Sequence, residues 1–383
     1  MISKWALYHE THWISDRKQN MMKKYYIILG NGFTIDFINH FKKYCSQKDI
    51  TAPDIDVQNL FSYGSKIVNP WSKTPGFLSY QTCPALWTLG ARPHLSAKES
   101  NDLIEEVISC ANMFFDFVND PDQKAKRLSM TTDMANKIYL RAYCELNSYL
   151  RELFATYNNK VTDDEIALFC KETDWGWVNF LKECKSSESK ITFVTYNYDV
   201  WLERILKALD MDFSVAGFES EQSNVFLIKP HGSISFVPIK ADEKPGIAYW
   251  IDFDGGYSFE AMKLQYEDLL KYSEGAIIPP AGDSGRLESI SAWASKLREE
   301  ARTTAHDYSK LEQEAQNVVI CGLSYWHVDR HEIDEILINL NQKANLYFIN
   351  PNPPRDMNAV LMSIFSNYVL LTSSENLKEI ANG

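Results

Sequence analysis

The chain has 383 residues, of which 45% are hydrophobic and 23% are charged, which is the composition of an ordinary globular protein. Acidic residues outnumber basic ones by 51 to 39, and the net charge of −12 disfavours nucleic acid or an anionic membrane surface as a direct partner. No apolar run approaches the ~20 residues that span a bilayer, so no membrane partner is expected.

The N-terminal segment and the cysteines predict a cytoplasmic location. The first residues lack the apolar region of a secretory signal, and residues 1–24 are expected to form an N-terminal arm, with Met21 or Met22 as alternative starts to Met1. The seven cysteines are widely spaced and include no C-x-x-C pair, which disfavours a zinc ribbon and a thioredoxin-type site. We expect reduced thiols that are mostly buried as small hydrophobic side chains.

The first 95 residues are predicted to contain one strand and one helix. Residues 25–29 are β-branched and aromatic, and they are followed by the glycine turn at 30–32 and by apolar positions at helical spacing over 33–45. This order indicates strand, turn and helix. Residues 46–95 show no clear period and are predicted to be a long loop with short pieces of structure.

Residues 96–186 are predicted to form a helical insertion. Ser96 and Thr162 each begin a capping-box pattern, and apolar side chains recur at every third or fourth position after them. The pattern predicts about four helices. The flanking parts, 25–95 and 187–383, would then form one domain interrupted by this helical subdomain.

The rest of the chain alternates between apolar runs and helical patterns. Strands are predicted over 191–195, 213–216, 225–228, 317–321, 346–349 and 368–371. Helices are predicted over 201–209, 259–272, 287–305, 331–341 and 356–364, and residues 239–258 are predicted to be a loop or hairpin with its turn at 254–256. Alternating strands and helices predict an α/β fold with a Rossmann-like, doubly wound, mostly parallel sheet.

Polar and glycine residues follow five of these strands, at the sheet edge where such folds bind ligands. Gly30 and Gly32 suit either a phosphate or a tight turn. Asn197 and Asp199 share a face of extended chain and could hold a ribose and a carboxamide, or cap the next helix. His231 is a candidate general base or an ordinary loop histidine. The remaining strand ends carry Gly322-Leu-Ser324 and Asn350-Pro351, which also suit plain turns.

Taken in chain order, these strand ends resemble those of the sirtuin (Sir2-like) family, over about residues 25–40 and 190–372. Ile277–Pro280 and the run 318–324 leading to Asp329 resemble the bacterial Sir2-like branch, whose members are NAD hydrolase effectors in antiphage defence. The resemblance implies an NAD-binding Rossmann domain with the following cofactor-binding residues: Gly30, Gly32, Phe33, Thr34, Asp36, Thr195, Gly322, Ser324 and Asn350. It further implies that Asp199 contacts the nicotinamide carboxamide, that Asn197 positions the ribose hydroxyls or the attacking water, and that His231 is the general base.

Two departures from the family point away from lysine deacylation. The paired C-x-x-C zinc ribbon of the deacylases is absent, and residues 35–41 replace the Pro-Asp-Phe-Arg run that usually follows the glycine loop. The expected activity is therefore NAD hydrolysis to nicotinamide and ADP-ribose, with NAD as substrate, no zinc, and a cyclised ADP-ribose as an alternative product. The cluster at residues 327–331 has metal-ligand residue types, but Asp329 is better interpreted as a helix cap.

Constitutive NAD depletion would kill the cell, so the resemblance also implies a switch. We expect an activating partner protein, such as a HerA-type ATPase or another phage- or nucleotide-sensing subunit, that docks on residues 96–186. A homo-oligomer or a hetero-complex is expected. The alternative function is an NAD- or ADP-ribose-binding regulatory subunit without turnover. An α/β hydrolase or a P-loop enzyme is disfavoured because neither G-x-S-x-G nor G-x-x-x-x-G-K-[ST] occurs.

Overall fold

The structure is a computed structural model, and it describes residues 23–119, 137–219, 223–239, 247, 259–272, 275–278, 292–310, 316–325 and 330–382. Within these ranges the chain forms nine strands: β1 Lys24–Leu29, β2 Lys190–Thr195, β3 Phe213–Val215, β4 Val225–Ile228, β5 Phe236–Pro238, β6 Met262–Leu264, β7 Gln316–Cys321, β8 Asn345–Ile349 and β9 Asn367–Leu371. Seven of them form one all-parallel sheet in the order β3-β4-β2-β1-β7-β8-β9. The predicted parallel α/β sheet is confirmed, and every predicted strand is present to within one residue at each end.

Helices flank this sheet, as expected where parallel strands need crossover connections. In the described residues the α-helices are α1 Asn31–Gln47, α2 Pro84–Thr88, α3 Ala97–Asn119, α4 Ile138–Asn158, α5 Asp163–Glu172, α6 Gly176–Ser186, α7 Trp201–Ala208, α8 Ala292–Ser309, α9 Arg330–Asn339, α10 Arg355–Ile364 and α11 Leu377–Asn382. The sheet is consistent with a Rossmann-like fold. From the central strand β1 the chain continues to β2 on one side, and from the other central strand, β7, it continues to β8 on the opposite side. The strand order therefore reverses between β1 and β7, which is the position where doubly wound sheets bind ligands.

The central strands are buried along almost their whole length. Every residue of β7 is buried, and so are the five residues of β1 after Lys24. β9 lies at the edge of the sheet and none of its residues is fully buried. The central strands are therefore continuous apolar runs in the sequence. A parallel strand that is covered on both faces has no solvent-exposed face, so its polar and apolar residues do not alternate.

The helical block predicted over residues 96–186 contains α3, α4, α5 and α6. Both predicted capping boxes are present, with the amide of Glu99 donating to Ser96 Oγ at 3.2 Å and the amide of Glu165 donating to Thr162 Oγ1 at 3.2 Å. Buried apolar residues of these helices and of the sheet belong to one continuous core. The rings of Phe180 on α6 and Tyr25 on β1, for example, lie 5.0 Å apart. The boundaries of a separate helical subdomain stay a prediction.

The prediction of a helix over residues 259–272 is wrong. This segment forms a 3₁₀ turn at Phe259–Ala261, the strand β6, and a second 3₁₀ turn at Leu269–Lys271. β6 pairs antiparallel with β5, which sequence analysis did not predict, and Asp268 has a positive φ of 50° that no helix interior tolerates. β5 lies some two dozen residues before β6 in the chain, so no local sequence pattern indicates that the two strands pair.

Several predictions concern residues outside the described ranges: the arm as far as residue 22, most of the loop 239–258 with its turn at 254–256, Pro279 and Pro280, the start of the helix predicted from 287, and Asp329 as a helix cap. The other helices over 201–209, 331–341 and 356–364 are confirmed to within two residues at each end.

Asp36, predicted to bind the cofactor, holds three parts of the structure together. Its Oδ2 accepts hydrogen bonds from Trp175 Nε1 at 2.7 Å and from Ser374 Oγ at 2.6 Å, and Oδ1 lies 3.3 Å from His40 Nδ1. Burial raises the pKa of Asp36, but the hydrogen bonds from His40, Ser374 and Trp175 outweigh it and leave the pKa below its usual value. The carboxylate thus fastens α1 to the start of α6 and to the C-terminal segment.

Replacing Asp36 with alanine is expected to lower the free energy of unfolding by about 1–3 kcal/mol, because the donors on Trp175 and Ser374 would lose their acceptor. Urea denaturation of the two proteins measures the change. Asp36→Asn keeps one acceptor oxygen and should lose less. Asp102→Ala, at an exposed carboxylate of α3, is the control. Equal stability of Asp36→Ala and the parent chain would contradict this anchoring role.

Candidate functional site

A cavity of about 300 Å³ lies at the carboxyl ends of the central strands, beside the point where the strand order reverses. This volume is at the lower end of the ~300–1,000 Å³ that small-molecule sites occupy. The predicted site residues that line it are Gly30, Asn197, Asp199, His231, Gly322 and Ser324. The structure therefore brings four separate strand ends to one cavity, and the amide of Asn197 and the imidazole of His231 share it.

The two glycine loops after β1 and β7 pack directly against each other. The amide of Gly30 donates to the carbonyl of Cys321 at 3.0 Å, and the amide of Gly32 donates to the carbonyl of Gly322 at 3.1 Å. A Cβ on Gly32 would lie 2.3 Å from the Cα of Gly322, which is closer than real atoms approach. Gly322 also has a φ of +57°, in the region that favours glycine. Close approach of the loops thus requires these glycines independently of any bound phosphate.

Asn197 is held by a chain of hydrogen bonds at the base of the cavity. Its Nδ2 donates to the carbonyl of Gly30 at 3.0 Å and to Thr34 Oγ1 at 3.2 Å, and the Thr34 hydroxyl donates to Asp199 Oδ2 at 2.7 Å. A carbonyl oxygen can only accept, so the atom beside it must be the amide nitrogen. The side-chain oxygen of Asn197 is therefore oriented away from these partners and is the atom that can accept from a ligand.

Asp199 is a buried carboxylate with both oxygens in use. Oδ2 accepts from Thr34, and Oδ1 accepts from the amide of Trp201 at the start of α7 at 3.2 Å. Burial raises the pKa of Asp199 to about 6, against the opposing effect of the Lys229 ammonium. Asp199 thus accepts from the first amide of α7, whose N-cap residue is Val200, and supports Thr34; its contact with a carboxamide stays a prediction.

Lys229 and Glu203 form a buried ion pair beside this network, and sequence analysis did not identify it. Lys229 Nζ donates to Glu203 Oε1 at 2.7 Å and to the carbonyl of Asp199 at 2.7 Å. The lysine follows β4 directly and the glutamate is on α7, so the pair fixes the end of β4 against that helix. Removing one partner of such a pair leaves an uncompensated buried charge and is strongly destabilising.

His231 is almost completely buried in the wall of the cavity. Its Nε2 lies 3.2 Å from Glu332 Oε2, and its ring meets the ring of Tyr196 edge to face with centroids 4.9 Å apart. Its carbonyl accepts from the amide of Ile278 at 2.9 Å. The following Gly232 has a φ of +79°, and a Cβ there would lie 1.9 Å from the carbonyl oxygen of Ala276. The histidine is therefore fixed through both its backbone and its ring.

The other predicted cofactor residues do not line this cavity in the described part of the chain. They are Gly32, Phe33, Thr34, Asp36, Thr195 and Asn350. Phe33 packs against Trp177 at a centroid distance of 5.3 Å, and Thr195 Oγ1 accepts from the amide of Asn197 at 3.2 Å. Asn350 follows β8, and its side chain accepts from the amide of Asn352 at 2.9 Å. Thr34 and Thr195 thus hold Asn197 in place, since each accepts a hydrogen bond from it.

Part of the cavity wall comes from segments that carry no recognisable motif. Val57, Gln58 and Leu60 belong to the long loop before α2, Asn101 to α3 and Phe154 to α4. No pattern of the sequence indicates that these residues face the strand ends. The loop has no clear period, and the periodicity of α3 and α4 reports only which face of each helix is apolar. The helical block therefore covers the site as well as extending the core.

In the described residues no group of three or more His, Cys, Asp or Glu side chains is arranged to hold a metal ion. The seven cysteines are free thiols. None of the described helices combines the length and the apolar character needed to cross a bilayer. No protein-family model matches the chain, and no curated protein is significantly similar to it.

Proposed function

We propose that the protein hydrolyses NAD to nicotinamide and ADP-ribose and acts as an effector of antiviral defence by depleting NAD. The observation that supports this most is the single cavity in which the Asn197 amide and the His231 imidazole meet the glycine loops of two strand ends. The cavity lies at the carboxyl ends of strands where the strand order reverses, and this is the position where α/β sheets bind dinucleotides. The antiviral role follows from the resemblance to the Sir2-like effectors.

NAD hydrolysis requires one bond to break and one bond to form. The bond between the nicotinamide nitrogen and ribose C1′ breaks with its electron pair going to the nitrogen, through an oxocarbenium-like transition state. A water oxygen bonds to C1′ and gives its proton to the base. His231 is the base of this reaction, and the side-chain oxygen of Asn197 orients the water or a ribose hydroxyl. The apolar wall formed by Leu60, Phe154 and Ile333 limits access of bulk water.

Regulation belongs to the same proposal. An unregulated NAD hydrolase would kill its own cell, so the activity depends on a partner protein or on assembly of the chain into an oligomer. The helices that supply Asn101 and Phe154 to the cavity wall are the proposed docking region, because a partner that moves them changes the site directly. An ATPase of the HerA type or another sensor subunit is the expected class of partner.

The decisive experiment measures nicotinamide release from NAD by the purified chain, alone and mixed with the product of the neighbouring gene. Release in the mixture, and little from the chain alone, supports the proposal together with its switch. NAD binding without release in either sample supports the regulatory subunit instead. Absence of both binding and release contradicts the assignment of the cavity to NAD.

Replacing Asn197 with alanine is expected to lower the rate of nicotinamide release by about 10²–10³-fold, the usual loss when one positioned polar group of an active site is removed. NAD binding should persist, because the backbone bonds from Gly30 to Cys321 and from Gly32 to Gly322 still hold the glycine loops together. Initial rates of nicotinamide release and a direct NAD titration check both parts. Asn159→Ala, at an exposed residue after α4, is the matched control. An active Asn197→Ala protein would remove Asn197 from the mechanism.

A further inference from the structure

Glu332 pairs with His231 across more than a hundred residues of sequence. The carboxylate is on the first turn of α9, which follows β7, whereas the histidine follows β4. Glu332 Oε2 lies 3.2 Å from Nε2 of the imidazole, and the two side chains are only 8% and 3% exposed. The contact is therefore sheltered from solvent and lies in the wall of the proposed NAD site.

The contact determines which nitrogen of His231 carries the proton. An ionised carboxylate has no hydrogen to donate, so Nε2 must be the protonated nitrogen of the pair. In the neutral imidazole the lone pair is then on Nδ1, which becomes the nitrogen that can accept a proton. Glu332 lies in the first turn of α9, and the N-terminal turn of a helix favours negative charge.

The ring is also fixed in position from the other side. Tyr196 meets the imidazole edge to face at a centroid distance of 4.9 Å, and Ile333, the neighbour of Glu332, lines the same cavity. Tyr196 and Asp199 are titratable groups that share the cavity wall with His231. Asp199 accepts hydrogen bonds from Thr34 and Trp201, whereas the carboxylate of Glu332 contacts the imidazole itself.

We infer that Glu332 is a positioning residue for His231: it fixes the Nε2–H tautomer and the orientation of the ring, which leaves the lone pair of the neutral imidazole on Nδ1. This inference rests on the proposed NAD hydrolysis for its effect on rate, but the tautomer assignment is independent of it. A carboxylate that only filled space beside a buried histidine would leave the tautomer unchanged on removal. That difference makes the two roles separable by experiment.

The test follows the ring nitrogens of His231 by ¹⁵N NMR in the full chain labelled at histidine, with His231→Gln used to assign its signals. The parent chain should show protonated Nε2 and unprotonated Nδ1. Glu332→Ala should shift the population towards the Nδ1–H form, whereas Glu332→Gln retains an acceptor oxygen and should preserve most of the parent tautomer. Glu335→Gln, one turn further along α9 and half-exposed, is the matched control and should change nothing.

The kinetic test uses the same variants with the activating partner present. Glu332→Ala should lower kcat for nicotinamide release by about 10²-fold or more with little change in KM, because loss of the correct tautomer affects the chemical step. Glu332→Gln should lie between this variant and the parent. An unchanged tautomer and an unchanged kcat in Glu332→Ala would overturn the inference. If the parent chain releases no nicotinamide, the proposed function fails, and the NMR result still decides whether Glu332 sets the tautomer.

Discussion

Replacing His231 with alanine is expected to lower the rate of nicotinamide release by about 10²–10⁴-fold, the range that a positioned general base contributes. The imidazole is the one side chain in the described lining of the cavity whose ordinary pKa suits proton transfer near neutral pH. Water is a poor nucleophile without such a base, because its proton must leave as the bond to C1′ forms. Initial rates at saturating NAD, with the activating partner present, measure the effect.

The alanine variant has a structural side effect that a second variant removes. Loss of the imidazole leaves Glu332 without its contact at 3.2 Å, which lowers stability as well as activity. His231→Gln restores an N–H donor near that carboxylate but cannot accept a proton at neutral pH. We therefore expect His231→Gln to be more stable than His231→Ala and equally inactive.

A matched histidine elsewhere in the chain controls for general effects of the substitution. His306 is exposed on α8 and does not line the cavity, so His306→Ala should keep the parent rate. A His231→Gln protein that retains the parent rate would show that the imidazole takes no part in the reaction. Loss of activity in both His231→Gln and His306→Ala would point to a shared effect on folding or assembly instead.

The strands of the sheet were predictable because their physical requirement is local. A parallel strand buried on both faces must be a short continuous apolar run, and β1, β2 and β7 have this composition. That polar residues at the strand ends lie close together was also predictable, since the topology of a parallel sheet places all carboxyl ends at one edge. Asn197 and His231 were identified by their position after a strand and by their chemistry.

What sequence analysis missed depends on contacts between distant segments. β5 and β6 have three residues each, and nothing in either segment indicates the pairing of Phe236 with Leu264. Glu332 is an acidic residue near a helix start, which helix electrostatics alone would explain. Only the folded chain shows that it faces His231. The residues that anchor a catalytic group need no motif of their own, so a local pattern cannot reveal them.

Gly30, Gly32 and Gly322 have a structural role that sequence analysis did not identify. Sequence analysis left two explanations open for the first two glycines, a bound phosphate or a tight turn. The structure shows that the two loops approach each other, with a Cβ on Gly30 reaching 2.6 Å from the carbonyl oxygen of Gly322. These glycines therefore build the cavity before any ligand arrives. Their replacement should affect the fold first and NAD binding as a consequence.

Replacing Gly322 with alanine is expected to cost about 2–5 kcal/mol of stability, the sum of two separable effects. Its φ of +57° is the left-handed conformation, which costs an alanine about 1–2 kcal/mol. Its Cβ would also lie 2.1 Å from the Cα of Gly32, an overlap with backbone that only movement of a loop can relieve, at about 1–3 kcal/mol or more. Urea denaturation, followed by tryptophan fluorescence, measures the loss.

Two other glycines separate the conformational effect from the overlap. Gly90 has a φ of +108° with nothing within 4 Å of an added Cβ, so Gly90→Ala reports backbone strain alone. Gly32 has no positive φ, but its Cβ would meet Gly322, so Gly32→Ala reports the overlap alone. We expect Gly322→Ala to lose about as much as the other two variants together. A Gly32→Ala protein as stable as the parent would show that the two loops do not pack this closely. The glycines would then be free to act on a phosphate alone.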